Sequence, residues 1–205
     1  MKRLHGFRGA ATLVSGRHLA DLAFQKNALR AAMRRRRRAL VNVDAGARAA
    51  GHLPIERLGR SGIVAGYHPR GAEIDPWPLM RRLAALGARL VLPVTVSHET
   101  PLVFRLAGDP GDFVPDAFGI LAPPPAAAEL APDLVIAPIL AFDRAGARLG
   151  QGGGFYDRTL AALRAAGPVF VLGLAYAGQE VEAVPADAHD QRLDAILTEI
   201  GYREF

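Results

Sequence analysis

Six short runs are rich in β-branched and aliphatic residues and bounded by Gly, Pro or Asp: Gly62 to Tyr67 (GIVAGY), Arg89 to Val96 (RLVLPVTV), Leu102 to Leu106, Leu134 to Phe142 (LVIAPILAF), Val169 to Tyr176 (VFVLGLAY) and Ala195 to Ile200. Several are apolar at consecutive positions rather than alternate ones, so both faces of such a strand must be covered. The segments Pro76 to Leu86 and Phe155 to Ala166 lie between these runs and have the length of crossover helices. The expected fold class is therefore α/β, a mostly parallel sheet flanked by helices on both faces. A chain of 205 residues, 50% of them hydrophobic, fills one such core and is short for two.

Ahead of the first strand, Leu22, Leu29, Met33 and Leu40 recur at helical spacing and predict an amphipathic helix from Leu19 to about Leu40. A second helix is expected from Asp44 to Leu58, capped by Asp44. Gly108 to Pro132 contains six prolines and little periodicity, so it reads as a surface loop. Residues 1–20 hold no acid and have a loose likeness to a transit peptide, but the apolar stretch is too short for a secretory segment. They are read as a disordered extension, leaving a single domain over 21–205.

Composition excludes several chemistries. With no cysteine there is no disulfide frame, thiol nucleophile or zinc–thiolate site, which suits a reducing, cytoplasmic setting. No apolar run approaches the roughly 20 residues that cross a bilayer, so no membrane partner is expected. The net charge of +5 is uneven: residues 1–38 hold eleven basic side chains against Asp21 alone, a net of +10, and the rest of the chain is at −5. The run Arg34 to Arg38 invites a nucleic-acid reading. On a helix, however, five consecutive residues point around most of the circumference, and no aromatic stacking platform accompanies them. They are read as a solvated helix end, with no nucleic-acid partner.

The sharpest local feature is LVIAPILAFD, RAGARL, GQGGG, FYDRTLAALRAA: strand, turn, glycine cluster, helix. Gly150, Gly152, Gly153 and Gly154 can take positive φ and turn successive N–H groups onto one point. At a helix N-terminus such a concavity favours an anion, phosphate above all. Arg148 can fork onto phosphate oxygens, and Asp157 in the first turn can hold their cation. The string is neither of the common nucleotide-loop motifs, so a flexible turn remains open on these residues alone.

The full string LAFDRAGARLGQGGGFYDR resembles the signature of the 5-formyltetrahydrofolate cyclo-ligase family, also called methenyltetrahydrofolate synthetases. Other pieces follow in the family's order over roughly Lys26 to Ile200. Lys26, Asn27, Ala28, Leu29 and Arg30 look like its N-terminal Lys-x-x-Leu-Arg, and on a helix Lys26 and Arg30 share a face. Lys2 and Lys26 are the only lysines beside 23 arginines. YHPRGAEIDPWPL resembles the segment after the family's first strand, and HDQRLDAILTE its closing segment. The resemblance implies a fold related to sugar-phosphate isomerases and CoA transferases.

It also implies an ATP- and Mg2+-dependent ligase that cyclises 5-formyltetrahydrofolate, polyglutamylated or not, to 5,10-methenyltetrahydrofolate with release of ADP and phosphate. Lys26, Arg148 and Asp157 take the catalytic roles. ATP is bound by Lys26 to Arg30, by Arg148, Leu149, Gly150, Gln151, Gly152, Gly153 and Gly154, and by Phe155 and Tyr156. Folate is contacted by His68, Glu73 in the pterin role, Phe118, and Gln151 to Phe155. Asp157 and Asp194 hold the metal, with Asp190 a competitor for the second place. A monomer is expected. Gln151 stands where many relatives have Arg or Lys, and Phe155 replaces a Tyr, which bears on affinity rather than on reaction type. The alternative is an enzyme of related fold that acts on a sugar phosphate or CoA ester without ATP.

Overall fold

Alternate residues of each central strand feed two different hydrophobic cores, as a sheet buried on both faces requires. The computed structural model describes the backbone from Gly9 and side chains from Ala20 to Phe205. In chain order its elements are α1 (Gly9–Ala39), α2 (Ala45–Gly51), α3 (Ile55–Leu58), β1 (Ile63–Ala65), α4 (Trp77–Ala85), β2 (Arg89–Val94), β3 (Val103–Leu106), β4 (Val114–Pro115), β5 (Leu121–Ala122), β6 (Leu134–Pro138), β7 (Ala141–Phe142), β8 (Arg148–Leu149), α5 (Phe155–Ala166), β9 (Phe170–Leu174), β10 (Ala195–Thr198) and β11 (Gly201–Glu204).

The main sheet has the order β11-β10-β9-β6-β1-β2-β3. Its five inner strands are parallel, with Val64 opposite both Leu90 and Leu134, and Leu134 opposite Phe170. The edge strands β3 and β11 run antiparallel to their neighbours. Leu134 and Ile136 face one core with Leu172, Leu174 and residues of α2 and α4. Val135 and Ala137 face the other, with Val171, Ile196 and Leu160 of α5. Each fully buried Leu or Ile contributes about 1.5–3 kcal/mol through removal from water. α1 lies outside both cores and docks Leu29 and Met33 on a third cluster, with Leu140, Ala141 and Leu149 of the β7–β8 ribbon.

Several expected boundaries move. The first helix is described over Gly9–Ala39, ahead of the expected start at Leu19; of the extension expected over 1–20, residues 1–8 lie outside the described residues. The second expected helix divides into α2 and α3, since Pro54 lacks an N–H and restricts Leu53. Asp44 stands at the N-cap without a side-chain cap bond. The run Leu134 to Phe142 becomes two strands. Between them, Gln179 Nε2 donates to the carbonyls of Ile139 and Leu140 at 2.9 and 3.0 Å, replacing a sheet partner. β11 adds an edge that the run ending at Ile200 did not announce.

The Pro-rich segment contains the β4–β5 hairpin, pinned by one side chain. Asp116 Oδ1 accepts from the N–H groups of Phe118 (2.8 Å) and Ile120 (2.9 Å), and Oδ2 from Thr95 N–H (3.0 Å). Burial pushes the Asp116 carboxyl up, but the backbone donors of Ile120, Phe118 and Thr95 outweigh it and hold the group below its usual range. A depressed carboxyl contributes stability that is present above its unfolded value near 4 and lost as pH falls through the lower folded value. Asp116→Asn is therefore expected to cost about 1–3 kcal/mol at pH 7. In urea unfolding the gap from the wild type should narrow as pH falls from about 4 through the folded value; a gap constant with pH would contradict this account of the hairpin.

From β1 the chain steps one way along the sheet to β2, and from β6 the other way to β9 and β10. The reversal leaves a crevice beyond the carboxyl ends of β1 and β6, where ligands of open α/β sheets bind.

Candidate functional site

A cavity of about 420 Å³ opens at that crevice, within the range of small-molecule sites. Tyr67 and His68 enter it from the end of β1, and Pro138 and Ile139 from the end of β6. The β7–β8 ribbon carries the chain across the mouth and delivers Arg148 and Leu149, then the glycine cluster, to the first turn of α5. Gly154, the residue before the helix, has φ +67°, and Gly152 has φ +107°. A Cβ on Gly152 would lie 3.3 Å from the Arg30 guanidinium carbon, and one on Gly154 2.6 Å from Arg158 NH1. The positive φ at both positions favours glycine, while the arginine side-chain ends nearby are free to shift. No side chain caps α5, so its first N–H groups face the loop, with Asp157 the one acidic side chain in that turn.

Charge around this loop is arranged in pairs. Lys26 Nζ donates to Asp190 at 2.6 Å and to Asp187 at 2.9 Å, with only 12% of its side chain exposed. Burial opposes the Lys26 charge, but the two carboxylates outweigh it and raise the group above its ordinary value. Arg148, 2% exposed, donates to Asp157 Oδ1 at 2.7 Å, and the same oxygen accepts from Gln191 N–H at 3.0 Å. Burial pulls the Arg148 guanidinium down and Asp157 opposes that. Arg30 Nε reaches the Gly150 carbonyl at 3.0 Å, and Arg34 donates to both the side chain and the carbonyl of Gln151. α1 therefore holds the glycine loop at two successive carbonyls.

Of the residues singled out in the sequence, Lys26, Arg30, His68, Glu73, Phe118, Arg148, Leu149, Gly150 to Gly154, Phe155, Tyr156 and Asp157 all line this one cavity. Asn27, Ala28 and Leu29 do not. Helical rotation turns Asn27 and Ala28 to solvent and packs Leu29 on the ribbon. Asp194 also lies outside the cavity lining. Its Oδ2 accepts from Val171 N–H at 2.7 Å and Arg164 at 3.1 Å, which ties the start of β10 to β9 away from the cavity. Asp190 lines the cavity instead.

Other participants were missed. Arg37, within the run read as a solvated helix end, is buried against Glu73, while Arg34, Arg35, Arg36 and Arg38 are exposed. His98 meets Phe118 edge-on at 4.3 Å and lies over Phe155 at 6.2 Å, backing two aromatic rings that line the cavity. Burial, with Glu73 adding to it, pushes the phenols of Tyr67 and Tyr156 up, so both stay neutral O–H groups. Two buried atoms in the wall, His68 Nδ1 and Arg148 Nε, have no partner.

Among the described residues, no cluster of three or more His, Asp or Glu forms a metal cage. The donor chemistry nonetheless suits magnesium: Asp157 and Asp190 present hard oxygens beside an anion-binding loop, and Mg2+ takes most of its ligands from phosphate and water. The arrangement can neutralise a polyphosphate, hold its cation and set a flat ring against an aromatic wall.

The model of the 5-formyltetrahydrofolate cyclo-ligase family matches residues 23–199. The 5-formyltetrahydrofolate cyclo-ligase of Mycolicibacterium smegmatis is 37% identical over 142 residues, covering 66% of this chain and 72% of the relative. That of Haemophilus influenzae is 43% identical over 144 residues, covering 65% and 74%. The structure of Aquifex aeolicus 5,10-methenyltetrahydrofolate synthetase superposes with a TM-score of 0.68 at 27% identity, covering 87% of this chain and 92% of that one. The Mycoplasma pneumoniae synthetase shares the fold, with a TM-score of 0.65 at 24% identity over 85% and 98%. The chain belongs to the 5-formyltetrahydrofolate cyclo-ligase family.

Proposed function

We propose that this protein is an ATP-dependent 5-formyltetrahydrofolate cyclo-ligase that forms 5,10-methenyltetrahydrofolate, ADP and phosphate. The observation that carries the reading is the convergence of Lys26, Arg30, Arg148, Asp157 and the glycine loop on the same cavity as Glu73 and Phe118. Phosphate charge and a flat hydrogen-bonding ring are provided for side by side.

A formamide oxygen is a poor leaving group. Transfer of the γ-phosphoryl group to it forms the O–P bond, releases ADP and turns that oxygen into part of a phosphate. The folate's N10 then attacks the formyl carbon, the C–O bond breaks, phosphate departs and N10 loses its proton. No protein nucleophile is needed, which fits a chain without cysteine. Phosphoryl transfer asks chiefly for positioning and neutralisation. The glycine-loop N–H groups and the α5 N-terminus seat the phosphates, Lys26, Arg30 and Arg148 neutralise them, and Glu73 accepts from the N–H donors of the pterin. Asp157 and Asp190 would hold Mg2+, which when bound adds charge neutralisation at the transferred group. Phe118 and Phe155, backed by His98, form the wall along the folate.

Lys26 and Arg148 are engaged by carboxylates, Lys26 with Asp187 and Asp190 and Arg148 with Asp157. These cations would turn to phosphate and Asp157 and Asp190 would be released to hold the metal when both are bound. A monomer and, from the absence of cysteine, a reducing cytoplasmic setting belong to the same reading.

Incubation with Mg-ATP and 5-formyltetrahydrofolate is expected to yield the methenyl product, followed by its absorbance. A folded protein with no turnover would overturn the proposal. Absence of any Mg-ATP affinity would favour an ATP-free enzyme acting on a sugar phosphate or CoA ester.

A further inference from the structure

The arginine run on α1 contains one member that the reaction as described leaves without a task. Arg37 is 7% exposed, whereas its four neighbours in the run face solvent. Lys26, Arg30, Met33 and Arg37 follow one another at spacings of four, three and four, so they form a single stripe along the helix. Met33 seats the stripe on the β7–β8 ribbon. At its far end Arg37 NH1 donates to Glu73 Oε1 at 3.4 Å, and both side chains are about nine-tenths buried. The other oxygen, Oε2, accepts from Arg70 N–H at 3.0 Å. Glu73 itself lines the cavity, while Arg37 stands behind it.

We infer that Arg37 is a positioning residue for the folate substrate: it supplies the counter-charge to Glu73 and fixes the direction in which that carboxylate presents its oxygens. The inference rests on the reading of Glu73 as the pterin acceptor. A carboxylate in a cavity wall accepts well from a ring's N–H groups only if it stays charged and held at a definite angle. Backbone N–H of Arg70 anchors one oxygen, and Arg37 is the cation in contact with the other. Arg37 lies eleven residues from Lys26, roughly 16 Å along a helix. One rod thus supports the nucleotide end through Lys26 and Arg30 and the folate end through Arg37, and its two ends can be perturbed separately.

The test compares wild type, Arg37→Met, Glu73→Gln and the double variant Arg37→Met/Glu73→Gln, in which the buried pair is replaced without leaving either charge alone. Arg37→Met should weaken folate binding by about tenfold, and folate binding equal to wild type would overturn the proposal. Binding of 5-formyltetrahydrofolate and of Mg-ATP is measured separately by calorimetry, with thermal melts. Glu73→Gln is expected to weaken folate binding by about tenfold or more while Mg-ATP binding stays within about twofold. The double variant should bind folate within about twofold of Glu73→Gln, because Arg37 acts through that carboxylate. A further loss of about tenfold in the double variant, or an equal loss of Mg-ATP binding, would overturn the proposal. So would a double variant that fails to fold where Glu73→Gln folds, since Arg37 would then be a structural residue. A wild type that binds folate without turning it over would overturn the functional reading and leave the role of Arg37 standing.

Discussion

Asp157→Asn is expected to reduce kcat for methenyl formation by roughly 100- to 1000-fold, the cost of removing one preorganised charge from a site that works by electrostatic stabilisation. The carboxylate has two tasks here. It is a hard oxygen donor beside the glycine loop, and it is the counter-ion of Arg148, whose side chain is 2% exposed. Asparagine keeps an oxygen that can accept from Arg148 and from Gln191 N–H, so the local geometry survives while the charge is lost. Breaking a buried ion pair outright costs about 3–5 kcal/mol, and the retained hydrogen bonds should hold the loss below that. Steady-state kinetics with a parallel thermal melt separates the two effects. A folded Asp157→Asn variant with activity within about threefold of wild type would remove Asp157 from the mechanism.

Lys26→Met should raise the KM for ATP by about 100-fold and lower kcat with it, because the substitution does more than delete a cation. Asp187 and Asp190 now converge on Nζ at 2.9 and 2.6 Å. Without Lys26 two carboxylates face each other where phosphate must enter, and repulsion adds to the lost attraction. The pH dependence follows from the direction of the shift. Lys26 is raised above its ordinary value, so its charge-dependent contribution is complete below the unfolded value near 10 and is lost only above the folded one. The wild-type to Lys26→Met ratio of ATP affinities should therefore stay flat between pH 6 and 9, as far as Lys26 is concerned. A KM for ATP unchanged by the substitution would contradict the assignment of Lys26 to the phosphates.

The sheet was legible because burial on both faces leaves consecutive apolar residues, and Leu134 to Ala137 do alternate between the two cores. The glycine loop was legible because only glycine satisfies the φ of +107° and +67° at Gly152 and Gly154. That Asp190 and not Asp194 lines the cavity was not. They lie four residues apart in a segment without periodicity, and the deciding contact is with Val171 on another strand. The hairpin within the Pro-rich segment depends on Asp116 reaching back to Thr95, a contact no local pattern announces. His98 joined Phe118 and Phe155 for the same reason, from a loop with no signal of its own.

Arg37 differs from these. Its place could have been found by continuing the stripe of Lys26, Arg30 and Met33 by one turn. The five adjacent arginines obscured it, since a run of like residues hides which one faces inward.

The mechanism is tested most directly by isotope transfer during turnover. With 5-formyltetrahydrofolate carrying 18O in the formyl group, Mg-ATP and the purified protein, the released inorganic phosphate should carry the 18O, with one ADP formed per methenyl product. Unlabelled phosphate accompanying the methenyl product would contradict phosphoryl transfer to the formyl oxygen.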